Sequence, residues 1–246
     1  MRYLLLSDLH SNLEATLAVM DSARARRFDR AVVLGDLVGY GASPNEVVRI
    51  IRELEPVAVI RGNHDKVASG VEGGEDFNQV AREAALQNRR ILSPEHRDYL
   101  MTLPRGPLSV EGLFMIAHGT PLDEDEYLVQ ESDASHIFET AQFSVCFFGH
   151  THLPGAFSLI GGQVSTRVAR RDDSTLSLEA GGRYLVNPGS VGQPRDENPK
   201  ASFGLYDETS QRISIHRVTY PVREAQERII AAGLPSILAD RLERGI

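Results

Sequence analysis

The sequence predicts an α/β fold, and three observations carry that reading. The first sixty residues alternate short apolar runs with stretches of helical spacing, the rhythm of a parallel sheet joined by crossover helices. Four apolar runs end abruptly in polar turns that bear Asp, Asn or His. Beyond residue 150 the chain becomes a succession of strand-like segments, and short connections such as Gly161-Gly162 and Glu208-Thr209 predict antiparallel neighbours. A second sheet packed face to face with the first would bury the apolar sides of both.

In chain order, residues 3–6 read as a buried strand, and Asn12 to Arg26 as a helix with apolar positions at Leu13, Leu17 and Met20. A second strand covers 31–34. Ser43-Pro44 predicts a helix start, with serine as N-cap and proline at the first helical position, and Pro56 ends that helix before a strand at 57–60. Residues 66–75, with Gly70, Gly73 and Gly74, read as a loose surface loop; helices follow from about Phe77 to Arg90 and from Pro94 to Leu100. This helical excursion, about 66–110, is either a partial lid or peripheral packing. A strand at 113–117 and another at 144–148 precede strands at 155–160, 163–169, 174–179, 184–187, 202–207 and 211–218. Val222 to Glu243 reads as two short helices broken at Gly233-Leu234-Pro235. With 246 residues, the whole chain, 1–246, is expected to form a single domain.

Composition narrows the function. The 34 acidic residues against 26 basic give a net charge of −8, which argues against a broad nucleic-acid-binding surface. One cysteine, Cys146, lies in an apolar run, so neither an intrachain disulfide nor a thiolate ligand set is available, and core packing is its expected role. No apolar stretch approaches the ~20 residues of a membrane span. The first strand begins at once after Met1-Arg2, leaving no room for a secretory leader, so a cytoplasmic chain is expected.

The polar turns carry the chemistry. Asp8 and His10 are two residues apart after the first strand and project to one side; His150 and His152 repeat the spacing after the strand at 144–148. Carboxylate oxygen with imidazole nitrogen suits divalent Mn, Fe, Zn, Ni or Co better than Mg alone. Asp36 ends the second strand at a glycine turn and is the candidate to be shared by two ions, since a carboxylate offers one oxygen to each. Asn63 and His64 are adjacent in a turn, so one can ligate while the other faces a substrate. His118 follows the strand at 113–117. His96, His136 and His216 lack such surroundings and read as ordinary surface or strand residues. Asp65 reads as a turn hydrogen-bonder, and Asn187 with Gly189-Ser190 as support for ligating imidazoles. Arg61, Arg195 and Tyr40 are candidate phosphate contacts, Arg61 being equally suited to an ion pair with the acidic surround.

The ordered set SDLHSN (7–12), GDLVGYG (35–41), RGNHD (61–65), AHG (117–119), GHTH (149–152) and NPGSV (187–191) resembles the calcineurin-like metallophosphoesterase superfamily over nearly the full chain. The resemblance implies a four-layer αββα sandwich of two mixed β-sheets flanked by helices. It implies two divalent transition metal ions, one held by Asp8, His10, Asp36 and His152, the other by Asp36, Asn63, His118 and His150, with His64 as the catalytic histidine. A metal-bridging hydroxide would attack the phosphorus in line, with His64 at the leaving group or a phosphate oxygen. NPGSV and Pro194-Arg195 resemble the small bacterial and archaeal phosphodiesterases of that superfamily, so a phosphodiesterase acting on a small phosphoester is expected. Gly39-Tyr40-Gly41 stands where the protein serine/threonine phosphatases have Asp-Arg-Gly, which weakens a protein phosphatase reading. A phosphomonoesterase and a non-catalytic metal-binding scaffold are the alternatives.

Overall fold

The computed structural model describes residues 1–246. Its two six-stranded sheets are both mixed. The first has the order β3-β2-β1-β11-β12-β9, from β1 (Arg2–Leu6), β2 (Arg30–Val33), β3 (Ala58–Val59), β9 (Asp173–Ser177), β11 (Ala201–Asp207) and β12 (Arg212–Val218). The second has the order β4-β5-β6-β10-β7-β8, from β4 (Leu108–Val110), β5 (Phe114–Ile116), β6 (Val145–Phe147), β7 (Gly155–Ile160), β8 (Gln163–Val168) and β10 (Arg183–Asn187). β1, β2 and β3 are parallel, as are β5, β6 and β10, while β7–β8 and β11–β12 are antiparallel hairpin neighbours. The strands beyond residue 150 do not make a sheet of their own: β9, β11 and β12 extend the N-terminal sheet, and β7, β8 and β10 join β4–β6. Hairpin signals specify neighbours in sequence, not the sheet to which a pair attaches.

Strand alternation sorts side chains into the layers. Tyr3 and Leu5 of β1 point between the sheets, where they meet Phe114, Phe147 and Val186. Leu4 and Leu6 point outward, against α1 (Leu13–Arg26), α2 (Pro44–Leu54), α7 (Val222–Ala231) and α8 (Ile237–Arg244). The outer face of the second sheet, with Cys146 and Leu185, is covered by Ala134, Ile137 and Phe138 of α6 (Glu131–Thr140). Helices, sheet, sheet and helix thus form the four expected layers, and Cys146 is fully buried core.

Several local expectations change. Residues 63–69 form helix α3 (Asn63–Ser69), so the segment read as loose loop begins with a buried helical turn that contains Lys66. The glycines that suggested a loop act as its C-terminus, with Gly70 left-handed and its N–H bonded to Lys66 and Val67 carbonyls. Leu17 is exposed; α1 instead buries Glu14, Ala15, Thr16, Val19, Met20 and Ala23. Ser43 sits at the N-cap of α2 but its side chain makes no capping bond. In the excursion, α4 (Gln79–Ile91) and α5 (Pro94–Thr102) pack on the core through Ala81, Ala84 and Leu100, with Leu92 between them, whereas residues 72–78 form one wall of a cleft. No helix is long and apolar enough to cross a membrane.

Candidate metal centre

The polar turns after β1, β2, β3, β5 and β6 meet at one edge of the sandwich, beyond the carboxyl ends of these parallel strands. Backbone bonds lock them together: Asp8 N–H donates to Gly35 O (3.1 Å), His10 N–H to Asp36 O (3.0 Å), and Gly149 N–H to His118 O (2.8 Å). The turns are tight. Of twelve non-glycine residues with positive φ, seven are here: Asp8, His10, Ser11, Asp36, Tyr40, His150 and His152. Each such conformation costs of order 1 kcal/mol and persists only where the surroundings over-determine it. At Gly39, itself at φ +98°, a Cβ would collide with the His64 ring, and at Gly62 one would collide with Asp36, so both glycines are required by close approach.

Asp8, His10, Asp36, His64, His118, His150 and His152 are all buried, and Asn63 borders them. Three sets of donor atoms lie within 4.8 Å of one another: Asp8, His10 and His152; His10, Asp36 and His64; and Asp36, His118 and His150. Asn63 Oδ1 is 3.3 Å from His118 Nε2. Asp36 Oδ2 lies 3.4 Å from His118 Nε2 and 3.6 Å from His10 Nε2, and its other oxygen accepts the His64 backbone N–H at 2.9 Å. Asp36 therefore occupies the join between the two expected donor sets.

The imidazoles are oriented by main-chain carbonyls, which can only accept. Nδ1–H donates from His10 to Val38 O (3.1 Å), from His118 to Leu34 O (2.7 Å) and from His152 to Gln193 O (2.5 Å). Each Nε2 lone pair is thereby turned inward in the neutral ring. His10 and His152 bring these two nitrogens to 3.1 Å, an arrangement that asks for a proton or a cation beside them. His150 Nε2 is buried with no partner. Inward lone pairs, an orphaned imidazole nitrogen and two buried carboxylates fit a divalent cation.

Protonation is equally skewed. Burial pushes His10 and His152 well below the usual histidine range, His64 to about 4 and His150 to about 3. Burial opposes a charge on His118 too, but the Asp36 carboxylate, with Asp8, reverses this and holds its pKa at about 10. Burial likewise opposes ionised Asp36; the imidazoles of His118, His64 and His10 outweigh it and keep the carboxyl well below its usual value. Burial raises Asp8 to about 6 and Asp65 to about 7, with the Asp36 charge adding to both. At neutral pH the metal-free site thus holds one positively charged ring, His118, among four neutral ones, and Asp65 shares a further proton with solvent. Stability follows by linkage. The four depressed imidazoles stabilise the fold above their unfolded pKa of ~6.5 and withdraw that contribution as pH falls. Asp8 and Asp65 run oppositely: their contribution is complete below ~3.9 and lost as pH rises through 6 to 7.

The surroundings revise some roles. Asp65 does serve the turn, accepting from Gly62 N–H (3.0 Å) and Val38 N–H (3.2 Å). Asn187 holds the loop of His150 and His152, donating to Gly149 O (2.8 Å) and Thr151 Oγ1 (2.9 Å), but the acceptors for the imidazoles are carbonyls instead. Arg61 is committed to Glu124 at 2.9 and 3.1 Å, so it is no free phosphate contact. Arg195 lies over the Tyr40 ring, donates to Tyr40 Oη (3.2 Å) and Gln193 Oε1 (3.1 Å), and keeps a buried Nε without a partner. His136 is exposed on α6, His96 lies 3.0 Å from Asn45 Oδ1, and His216 pairs with Asp173, all away from the centre.

Two contributors were not singled out in the sequence. Lys66 of α3 is buried and pairs with Asp125 (2.6 Å), Glu72 (3.0 Å) and Glu124 (3.4 Å), tying together both walls of the cleft above the site. Tyr127 stacks on His150 with ring centroids 4.0 Å apart. No motif marks either residue, and the glycines that follow Lys66 give residues 66–75 the sequence character of a loop.

The model of the calcineurin-like phosphoesterase superfamily domain matches residues 1–211. The chain belongs to the calcineurin-like phosphoesterase superfamily. An uncharacterized protein of Methanocaldococcus jannaschii is 36% identical over 244 residues, covering 98% of this chain and 96% of that protein. Among solved structures, a metallophosphoesterase from Sphaerobacter thermophilus is 37% identical with a TM-score of 0.87, covering 100% of this chain and 99% of that one. A hypothetical protein from Pyrococcus horikoshii, 19% identical, shares the fold with a TM-score of 0.83 over 100% of this chain and 98% of its own. The superfamily's metallophosphoesterase chemistry accords with a cluster built from carboxylates and imidazoles.

Proposed function

We propose that the protein is a metal-dependent phosphodiesterase acting on a small phosphoester, with Asp8, His10, Asp36 and His152 holding one divalent ion and Asp36, Asn63, His118 and His150 a second. The observation that carries this reading is the convergence of inward imidazole lone pairs on two buried carboxylates at the floor of an open cleft. When bound, such ions supply an activated water and neutralise charge that develops on the phosphoryl oxygens. His64 lines the cleft beside His10 and Asp36, and because its Nδ1 is packed against Gly39, its Nε2 is the nitrogen left to face a substrate oxygen. Its depressed pKa makes it a neutral hydrogen-bond donor in the resting site. Contact with a phosphoryl oxygen would then steady the group in flight. Arg195, bonded to Tyr40 and Gln193 behind the cleft lining, adds positive charge near the centre without being a direct substrate contact.

A diester is favoured over a monoester by charge. The cleft of about 610 Å³ is lined by Glu72, Glu75, Asp76 and Asp125 and by no lysine or arginine. A diester brings one negative charge past those carboxylates, and a monoester dianion brings up to two. The test is a screen of the purified protein, reconstituted in turn with Mn, Fe, Co, Ni and Zn, on bis-p-nitrophenyl phosphate and p-nitrophenyl phosphate. Metal-dependent turnover with a higher kcat/KM on the diester is expected. A folded, metal-loaded protein that hydrolyses neither ester would overturn the assignment and favour the scaffold reading.

A further inference from the structure

The helix α4 turns a narrow buried face toward the metal centre. That face consists of Ala81, Ala84, Ala85 and Asn88, so small side chains bring the helix close and one polar side chain stands at the end of the row. Asn88 has no exposed surface. All partners of its side chain lie in the turns after β1 and β2: Oδ1 accepts from Gly39 N–H (2.8 Å) and from the Ser11 hydroxyl (2.6 Å), and Nδ2 donates to Gly41 O (3.0 Å). The helical excursion is thus joined to the donor turns by hydrogen bonds as well as by packing.

The bond to Gly39 reaches His10. Gly39 N–H and Val38 C=O belong to one planar peptide group, whose two ends move together. The carbonyl end accepts from His10 Nδ1–H at 3.1 Å, which leaves the His10 Nε2 lone pair facing inward. The amide end is held by Asn88. Rotation of a peptide plane is easiest beside glycine, and Gly39, at φ +98°, has no side chain to oppose it. Upstream, Val38 N–H is already tied to Asp65 Oδ1 (3.2 Å), so the Val38–Gly39 plane is the one whose orientation Asn88 decides.

We propose that Asn88 is a positioning residue for His10, acting through the Val38–Gly39 peptide to fix the tautomer and aim of the ring and so the affinity of the ion that His10 would hold. The metal half of this statement rests on His10 as a ligand; the orientation of the ring does not. Removing a group that orients a ligating imidazole weakens metal binding by about 10–100-fold, and Asn88 stands one bond farther out, so about tenfold is expected. An apolar side chain at 88 would also deprive buried Gly39 N–H and Gly41 O of their side-chain partner, which favours reorientation of the plane.

The test follows isotope-labelled histidine by NMR in the full chain, metal-free and zinc-loaded, beside calorimetric zinc titration. In the parent, His10, His118 and His152 should each show a slowly exchanging Nδ1–H, since all three donate to main-chain carbonyls. Asn88→Ala should lose or broaden the His10 signal alone and weaken one zinc site about tenfold. Asn88→Asp keeps an oxygen for Gly39 N–H but no donor for Gly41 O, and should retain the His10 signal. Ala84→Gly, one turn away on the same face, loosens the helix without touching these bonds and should leave both the signal and zinc affinity near the parent's. The positioning role is overturned by an Asn88→Ala protein that keeps the His10 signal, by loss of that signal in Asn88→Asp, or by an Ala84→Gly protein that binds zinc as weakly as Asn88→Ala. A parent spectrum without a protected His10 proton overturns it with no variant at all. Failure of the parent to bind zinc would instead strike the ligand assignment, and the metal-free spectra would still decide the role of Asn88.

Discussion

Asp36→Asn separates charge from shape at the join of the two donor sets. The asparagine keeps an oxygen that can accept the His64 backbone N–H, now held at 2.9 Å, and the strand beneath remains packed by Val32, Val33 and Leu34, so the fold should survive. What is lost is one negative charge within 3.4 Å of His118 Nε2 and 3.6 Å of His10 Nε2. At an effective dielectric near 20, unit charges ~4 Å apart interact by about 4 kcal/mol, and a divalent ion in direct contact feels more. Each ion should therefore bind at least ~10³-fold more weakly, since every 1.4 kcal/mol is tenfold. The assay is metal titration by calorimetry beside turnover of bis-p-nitrophenyl phosphate. At micromolar metal, activity should fall by ~10³ or more, and millimolar metal should recover part of it. In the metal-free variant, NMR should find the His118 pKa well below its parent value of about 10, because its main counter-charge is gone. Parent-like affinity for two ions in a folded Asp36→Asn protein would refute the shared-ligand argument.

Three further outcomes are expected. His64→Ala should retain both ions and lose ~10²-fold in kcat, by a similar factor for p-nitrophenyl and alkyl diesters, because a neutral imidazole acts on the phosphoryl oxygen. A much larger loss on the alkyl ester would instead make it the proton donor to the leaving group. Lys66→Met should cost about 1–2 kcal/mol in urea unfolding, less than the loss of a fully buried pair because Glu72 and Asp125 are half exposed and Glu124 keeps Arg61, and should raise KM as the cleft walls loosen. Metal-free protein should lose stability from pH 6.5 to 4.5, because four depressed imidazoles outnumber the two raised carboxyls, by roughly 1.4 kcal/mol per pH unit for each unmatched proton. Thermal melts in chelator that rise toward acid would contradict that balance.

The layers were legible because buried parallel strands leave continuous apolar runs, and the donor residues were legible because each follows such a run. Tyr3-Leu4-Leu5-Leu6 before Asp8 and Val145-Cys146-Phe147-Phe148 before His150 show both signals at once. Attachment of β9, β11 and β12 to the N-terminal sheet was not legible, since pairing of Leu4 with Leu205 spans two hundred residues and leaves no local pattern. Short elements were lost for a related reason. Three-residue β4 offers too few positions for a period, and the glycines after α3 signalled its termination while obscuring its existence. The ion pairs of Lys66 and Arg61 needed the fold, because Glu124 is 58 residues from the first and 63 from the second.

The same dependence explains how the site is kept rigid. Seven of its residues are left-handed, a conformation that a free chain would abandon, and most of their side chains are polar groups that burial disfavours. Neither cost is met within the turns themselves. It is offset by the inter-turn backbone bonds, by Asp65 and Asn187 holding adjacent loops, and by the hydrophobic layers from which the turns project. A cation should relieve the remaining conflict, since it satisfies the His10 and His152 nitrogens now facing each other and the orphaned nitrogen of His150. Binding energy would then appear as added stability of the folded chain without a large rearrangement, because the scaffold has already brought the donors together.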